Sequence, residues 1–290
     1  MIRDIRNTLM GVIVAGMLLS ISCTGKTGTQ GYDSPKGYNL NKPVKYYMPD
    51  GLLEISGIAF SNGKSDSVYA EQDEDGNIYY LKLGDKQVNY SKFGKKGDYE
   101  DIAICHKQVI MLRSDGVLFT FPFSQVRNKE IPDVQKLEGL LPDGEYEGMH
   151  ADEQNGLVYI LCKHCTDDNI TKSSSGTILA LQADGTLKQS GSFSVDVKTI
   201  EKITGKKKVN FHPSALTKNS KTNEWYILSS VNKMLVVADS NWKVKAVYSL
   251  DPAIFNQPEG IAFDNQYNLY ISNEGGKTSA GNILKFNYTK

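Results

Sequence analysis

The sequence predicts an all-β fold, a five-bladed β-propeller closed by an N-terminal strand, with a six-bladed propeller as the alternative. Two observations support this prediction. Sixteen Tyr and 26 Gly accompany many short β-branched or aromatic runs, which are separated by Asp-Gly, Asn-Gly and Gly-Asn pairs typical of turns between strands. In addition, one phrase of three strands recurs five times at a spacing near 45 residues, the length of a propeller blade.

The first strand of each repeat is a short apolar run with a polar residue near its start. The five runs are ISGIAF, YEDIAI, YEGMHA, PSALTK and PEGIAF. They align Ser56, Glu100, Glu147, Ser214 and Glu259, at steps of 44, 47, 67 and 45 residues. A second strand follows each run (SVYAEQ, QVIMLR, LVYILC, EWYILS, NLYISN), and then a third (NIYYLKL, VLFTFPF, TILALQA, MLVVADS, NILKFNY). Each repeat therefore predicts one blade with a more variable fourth strand.

The long step and the incomplete last repeat both fit five blades. Residues 195–208, VDVKTIEKITGKKK, have helical periodicity, and an inserted helix there accounts for the extra length. The last repeat stops after its third strand, and residues 43–49, PVKYYMP, form a lone strand that can fill its outer position and remove two exposed sheet edges. A sixth, degenerate blade hidden in the insertion is the alternative.

The N-terminal residues predict an exported lipoprotein. Residues 1–22 carry Arg3 and Arg6, then an uncharged apolar run from Leu9 to Ile21, which has the length of a signal peptide. The run ends LLSISC and resembles a bacterial lipobox, so Cys23 is the predicted lipidation site; an ordinary cleavage site followed by a free or disulfide-bonded cysteine is the alternative. Residues 23–41 are rich in Gly, Thr and Ser and predict a flexible tether, which leaves 42–290 as the propeller domain. The expected location is the cell envelope, on the periplasmic face of the outer membrane or on the cell surface.

The charge of the chain argues against nucleic acid as a partner. Lys plus Arg and Asp plus Glu number 33 each, so the formal net charge is zero. The predicted partners are the membrane, reached through the lipid anchor, and an unidentified small molecule, glycan or protein.

The aligned polar residues predict a metal site. First strands line the channel of a propeller, so Glu100, Glu147 and Glu259 are expected to converge there. Converging carboxylates repel one another unless they are protonated or bind a cation, and oxygen ligands favour calcium. Gly148 and Gly260, which follow two of these glutamates, allow close strand approach. Further candidate channel residues are Ser56, Ser214, Gln72, Asn273 and Glu274, whereas Arg113 could neutralise a carboxylate and reduce the need for a cation. In the alternative interpretation, the glutamates only hydrogen-bond neighbouring blades.

These phrases, above all YEDIAI, YEGMHADEQNGLVYIL, HPSALTKNSKTNEWYILS and PEGIAFDNQYNLYISNEGG, resemble those of the SdiA-regulated family of bacterial envelope propellers, which is distantly similar to NHL-repeat proteins. The resemblance covers most of residues 53–290. It implies a five-bladed propeller with a calcium ion in the channel, held at the acidic positions Glu100, Glu147 and Glu259. It implies no particular biochemical activity.

The remaining motifs give weaker indications of function. CKHC, from Cys162 to Cys165, has the spacing of a redox pair or half of a zinc site, but no second pair accompanies it, so a structural disulfide or buried thiols are favoured. DEDGN, residues 73–77, imitates the start of an EF-hand loop but favours a hairpin turn. His150 and His212 each lie beside a first strand and are candidate general bases.

Two functions remain open. The favoured one is a non-catalytic binding module in which calcium fixes the blades and the rim loops hold a ligand. The alternative is a calcium-dependent hydrolase of the lactonase or phosphoesterase type, with the ion as Lewis acid and His150 or His212 moving protons.

Overall fold

The computed structural model describes residues 32–166, 168–276 and 279–290. The predicted signal peptide, the lipidation site Cys23 and the first part of the predicted tether lie outside the described residues. Within the described part of the chain, no helix is long and apolar enough to cross a membrane.

In the described residues, twenty strands form five antiparallel four-stranded sheets, and the first strands of neighbouring sheets contact one another in a closed ring. The five-bladed propeller is thus confirmed, and the six-bladed alternative is wrong. Blade 1 contains β2 (Ile55–Ala59), β3 (Val68–Gln72), β4 (Asn77–Leu81) and β5 (Asn89–Lys92). Blade 2 contains β6 (Tyr99–Cys105), β7 (Gln108–Arg113), β8 (Leu118–Pro122) and β9 (Gln135–Leu137). Blade 3 contains β10 (Gly144–Asp152), β11 (Leu157–Cys165), β12 (Ser173–Leu181) and β13 (Leu187–Asp196). Blade 4 contains β14 (Ala215–Asn219), β15 (Glu224–Ser229), β16 (Met234–Ala238) and β17 (Val244–Ser249).

Blade 5 joins the two ends of the described chain. It contains β18 (Pro258–Phe263), β19 (Leu269–Asn273) and β20 (Asn282–Phe286), and β1 (Val44–Tyr47) pairs with β20 as the outer strand. The antiparallel register places Val44 opposite Lys285 and Tyr47 opposite Asn282. The predicted strand at residues 43–49 therefore closes the ring and covers the edge of β20.

The predicted insertion contains one helix, α1 (Val197–Thr204), between β13 and β14. The side chain of Asp196 caps its start by accepting a hydrogen bond from the Lys198 N–H, and Gly205 ends it in the left-handed conformation at φ 69°. Val197 and Ile200 are buried against the outer part of blades 3 and 4, so the helix adds to the hydrophobic core instead of forming another blade.

The folded domain starts earlier than the predicted boundary at residue 42. Tyr38 and Leu40 lie in the hydrophobic core between blades 4 and 5, where they are 7% and 1% exposed. The Tyr38 hydroxyl donates to the Tyr267 carbonyl oxygen at 2.8 Å and accepts from Asn219 at 3.1 Å. Composition alone predicted a tether here because two apolar side chains among Gly, Ser and Lys give little signal.

Candidate functional site: an acidic channel mouth

Four first strands carry a β-bulge at the aligned polar position. In the pairing of β6 with β7, Tyr99 lies opposite Arg113 and Asp101 opposite Leu112, so Glu100 is an extra residue without a partner. Glu147 and Glu259 are extra residues in the same way, and β2 has the corresponding irregularity between Ile55 and Ile58. Because a bulge re-aims the side chain of its extra residue, the glutamate is the residue that blades 2, 3 and 5 turn toward the axis.

The residue after the bulge lies where neighbouring blades touch. A Cβ added to Gly260 would overlap the Ser56 carbonyl oxygen and the Ser272 hydroxyl, and one added to Gly148 would lie 3.1 Å from the Ala215 backbone. The predicted reason for glycine after these glutamates, close strand approach, is therefore confirmed. Asp101 holds the same place in blade 2, where its two carboxyl oxygens accept hydrogen bonds from the N–H groups of Ile102 and Met149 at 2.8 and 2.6 Å.

The bulged side chains converge in a cavity of about 160 Å³ at one end of the channel. We call it the acidic mouth; it is lined by Glu54, Ser56, Asp73, Glu100, Glu147, Glu259 and Glu274. The three predicted metal-binding glutamates therefore lie together, and three further carboxylates accompany them.

Burial and mutual repulsion disfavour the ionised form of these glutamates. Burial, with the nearby carboxylates of Glu147 and Asp98, raises the pKa of Glu100 to about 9. Burial also raises the pKa of Glu147 to about 7 against the opposing effect of Lys163, and burial together with Glu147 raises that of Glu259 to about 7. At neutral pH the cluster is therefore partly protonated when no added cation is bound.

Among the described residues, Lys163 is a lysine that contacts a carboxylate of the acidic mouth. The ammonium group of Lys163 contacts a carboxylate oxygen of Glu147 and lies 2.9 Å from one of Glu145. Lys163 is itself the extra residue of a bulge in β11, because Cys162 lies opposite Tyr146 while His164 lies opposite Glu145. Burial lowers the pKa of Lys163, but its hydrogen bonds to Glu145 and Glu147 outweigh burial and raise it above the usual range, so the side chain is a resident positive charge.

The other predicted channel residues divide into two groups. Ser56 and Glu274 line the acidic mouth. Ser214, Gln72 and Asn273 do not line it. The Ser214 hydroxyl donates to the Pro258 carbonyl oxygen in the next blade at 2.9 Å, and the Ser56 hydroxyl likewise donates to the Glu100 carbonyl oxygen at 3.1 Å. The serines thus link first strands, which is the role that the alternative interpretation assigned to the glutamates.

The amides and Arg113 are engaged away from the cavity. Gln72 donates to Asp75 at 3.0 Å, and Asn273 donates to Asn282 at 3.1 Å. Arg113 forms a bidentate pair with Asp115 at 2.7 and 2.8 Å, so it does not neutralise the mouth; Lys163 does so instead.

The acidic mouth fits a hard cation in charge and ligand type. All its polar lining groups are oxygens, and the buried Oδ1 of Asp73 has no hydrogen-bond partner. Among the described residues, however, no three carboxylates of the mouth bring oxygens within 4.8 Å of one another. A bound cation would therefore require these side chains to close inward.

The remaining candidate motifs resolve as structural features. Cys162 and Cys165 form a disulfide, which excludes them as metal ligands, and Cys105 is a buried free thiol. Residues 73–76 of DEDGN form the predicted hairpin turn between β3 and β4. His150 lies at the opposite end of the channel. His212 lies near His164, with ring centroids 6.4 Å apart, and burial lowers its pKa.

Glu54, Asp73 and Lys163 were missed by the sequence prediction. Asp73 was not considered because it lies in the motif interpreted as a turn. Lys163 was not considered because CKHC was interpreted through its two cysteines. The aligned second strand of this blade, LVYILC, ends at Cys162, one residue before Lys163, so the repeat gave no signal for this lysine.

The fold and the site together define a five-bladed β-propeller with a carboxylate cluster in one channel mouth. The family model described as SdiA-regulated matches residues 48–276, so the chain belongs to the SdiA-regulated family. No curated protein matches the chain by sequence.

Several solved structures share the fold. Glutaminyl cyclase from Myxococcus xanthus matches with a TM-score of 0.56 at 15% identity, over 85% of this chain and 96% of that one. A luciferin-regenerating enzyme matches with a TM-score of 0.54 at 11% identity, over 85% and 95%. Regucalcin from Agrobacterium tumefaciens, described as a calcium-binding protein, has a TM-score of 0.48 at 12% identity, over 87% and 95%. At these identities the two matches with TM-scores above 0.5 establish the propeller fold alone.

Proposed function

We propose that this protein is a non-catalytic binding module whose acidic mouth holds a calcium ion. The observation that carries the proposal is the convergence of three bulged glutamates, Glu100, Glu147 and Glu259, in one cavity with an excess of negative charge. Six carboxylates line this cavity, and Lys163 contacts one of them, that of Glu147. Buried charges that are not paired normally bind a metal ion or become protonated.

Calcium would be held by carboxylates from different blades. Glu100, Glu147 and Glu259 supply these ligands, with Glu274 and Asp73 within the same cavity. When bound, the ion would supply positive charge that favours the ionised carboxylates and would tie the blades together. The loops around this mouth would then hold the ligand, a small molecule, glycan or protein.

The position of the histidines favours binding over hydrolysis. A hydrolase needs a general base within hydrogen-bond reach of the reacting water. His150 lines the other mouth and cannot serve the acidic one. A hydrolytic role would therefore fall to His212, which lies beside His164 and is not among the residues that line the acidic mouth.

Calorimetric titration of the purified full-length protein with calcium tests the proposal. We expect one-site binding that weakens at least about tenfold in each of Glu100→Gln, Glu147→Gln and Glu259→Gln, because each loses a charged ligand. Glu138→Gln is the matched control, since Glu138 is an exposed glutamate paired with Lys136 outside the mouth. A folded wild-type protein that takes up no calcium would overturn the proposal and leave the glutamates as structural groups.

We also propose that the protein is anchored in the cell envelope through lipid on Cys23. The support is the sequence of residues 1–23, with two arginines, an apolar run and LLSISC. We expect Cys23→Ser to move the protein from the detergent phase to the aqueous phase on detergent partition. Unchanged partition of the variant would contradict the anchor.

A further inference from the structure

The far end of the channel carries a second cavity that shares no residue with the acidic mouth. We call it the apolar mouth. It has a volume of about 380 Å³ and receives residues from all five blades, beyond the level where Gly57, Gly148 and Gly260 bring the strands into contact. Ligand pockets commonly hold about 300 to 1,000 Å³, so this cavity can hold a compact small molecule.

The wall of the apolar mouth is mostly hydrophobic. Ile102, Met149 and Ile261 line it and are 2%, 3% and 6% exposed, and Phe60 and Phe263 lie at its edge. Glu153 is the charged member among the described residues that line it, and its carboxylate already accepts the His106 N–H at 2.8 Å. This lining favours an uncharged ligand.

The repeat shows where the apolar mouth departs from symmetry. Two residues after the contact level, blades 1, 2 and 5 have Ala59, Ala103 and Ala262, whereas blades 3 and 4 have His150 and Thr217. The small alanine side chains leave room for the cavity. The two polar residues, His150 and Thr217, come from adjacent blades. We call His150 and Thr217 the polar edge of the apolar mouth. Packing of the channel alone does not require polar side chains on one side.

The polar edge is organised for hydrogen bonding. The Thr217 hydroxyl lies 3.3 Å from Nδ1 of His150, whose ring packs against Trp225 at 5.5 Å between centroids. Nε2 of His150 makes no hydrogen bond to any residue that the structure describes. Burial lowers the pKa of His150 to about 4, so the imidazole is neutral. Its Nε2 can therefore donate or accept one hydrogen bond with an uncharged partner.

We propose that the apolar mouth is a second binding site, for an uncharged, mainly aliphatic or aromatic molecule that carries a hydroxyl or carbonyl oxygen. The apolar part lies among Ile102, Met149 and Ile261, and the oxygen meets His150 and Thr217. At about 30 Å³ per water molecule, the cavity corresponds to roughly a dozen waters, so the ligand has on the order of a dozen non-hydrogen atoms. This site does not depend on calcium at the other end.

Fluorescence of the uncharged probe 2-naphthol, whose size and hydroxyl group match the proposed ligand, tests this site on the full-length protein, with competition by eight-carbon compounds. We expect saturable enhancement that octanol reverses and that octanoate and octylamine reverse at least about tenfold less well, because burying their charge is costly. The proposal would be overturned if the wild-type protein showed no saturable binding of the probe. It would also be overturned if octanol, octanoate and octylamine reversed the binding equally well.

Two variants locate the probe. Ala151→Phe fills the mouth from the half-buried position 151 and should abolish saturable binding, whereas Val231→Phe, at a residue 71% exposed outside the mouth, should leave it unchanged. Thr217→Val keeps the side-chain shape and should weaken octanol about two- to tenfold through the lost hydrogen bond. Equal binding by the wild type and by folded Ala151→Phe and Thr217→Val proteins would contradict the site. Calcium titration of the same proteins separates this result from the fate of the acidic mouth.

Discussion

Lys163 is the residue on which the charge of the acidic mouth depends. Its ammonium group contacts Glu147, one of the three glutamates expected to bind calcium. A divalent cation and this ammonium group therefore compete for the same carboxylate. The Lys163 ammonium group is thus a monovalent cation, covalently part of the protein, at a carboxylate proposed to bind calcium.

Replacing Lys163 should strengthen calcium binding. Lys163→Met keeps much of the length of the side chain and removes the charge, so Glu147 becomes free to coordinate and repulsion of the ion disappears. We expect calcium affinity to rise about tenfold, on the scale of one buried charge interaction of about one pKa unit. Calorimetry measures the change, with Lys136→Met as the control for an exposed, paired lysine. Weaker calcium binding in Lys163→Met would show that the lysine supports the site instead of competing for it.

At the scale of an element, the β-bulge is the device that turns a repeated strand into a site. A regular strand alternates its side chains between two faces, and both faces of these blades are needed for the hydrophobic core. One extra residue per strand supplies a side chain outside that alternation. The glutamates thus reach the channel without removing an apolar residue from the packing between blades.

The disulfide between Cys162 and Cys165 spans the bulge that directs Lys163. Its sequence separation is only 3, so the loop-closure contribution to stability is about 2 kcal/mol. For a domain of this size we expect Cys162→Ala with Cys165→Ala to lower Tm by about 4–8 °C. Scanning calorimetry with and without reductant checks this, and the double variant should not respond to reductant. A double variant as stable as the oxidised wild type would mean that the strand pairing alone holds the bulge.

The repeat predicted the elements well because it recurs five times in one chain. The phrase around Glu259 gave the blade count and the place of the closing strand, and it aligned Glu100, Glu147 and Glu259 correctly; the inserted helix was predicted separately, from the periodicity of residues 195–208. Asp73 and Lys163 were not predictable in this way, because each enters the mouth from a single blade. The misplaced start of the domain has the same cause, since Tyr38 packs through contacts that no repeat encodes.

At the scale of the whole molecule, the carboxylate cluster makes stability depend on pH. The pKa of Glu100 rises from 4.5 to about 9 on folding, and those of Glu147 and Glu259 rise to about 7. A carboxyl group with a raised folded-state pKa binds more protons when folded than when unfolded, so its contribution is full below pH 4.5 and is lost as the pH rises through the folded pKa.

Without calcium, we therefore expect this cluster to make Tm fall as the pH rises from about 6 to 9. Saturating calcium should reduce the fall, because the ion favours the ionised carboxylates and releases their protons. Thermal unfolding at several pH values, with chelator or with calcium, measures both effects, and Glu100→Gln should flatten the part of the curve above pH 7. A Tm that rises over this range in chelator, in the wild type but not in Glu100→Gln, would contradict the raised pKa values.

The pairing of β1 with β20 also bears on the order in which the molecule can be made. These strands belong to one sheet, yet they lie at opposite ends of the described chain. As the chain emerges from its N-terminus, blades 1 to 4 can form in turn, but the partner of β1 emerges after all of them. Sealing of the ring cannot precede synthesis of residues 282–286, so until then the nascent protein is an open arc with unpaired sheet edges at risk of pairing with other chains.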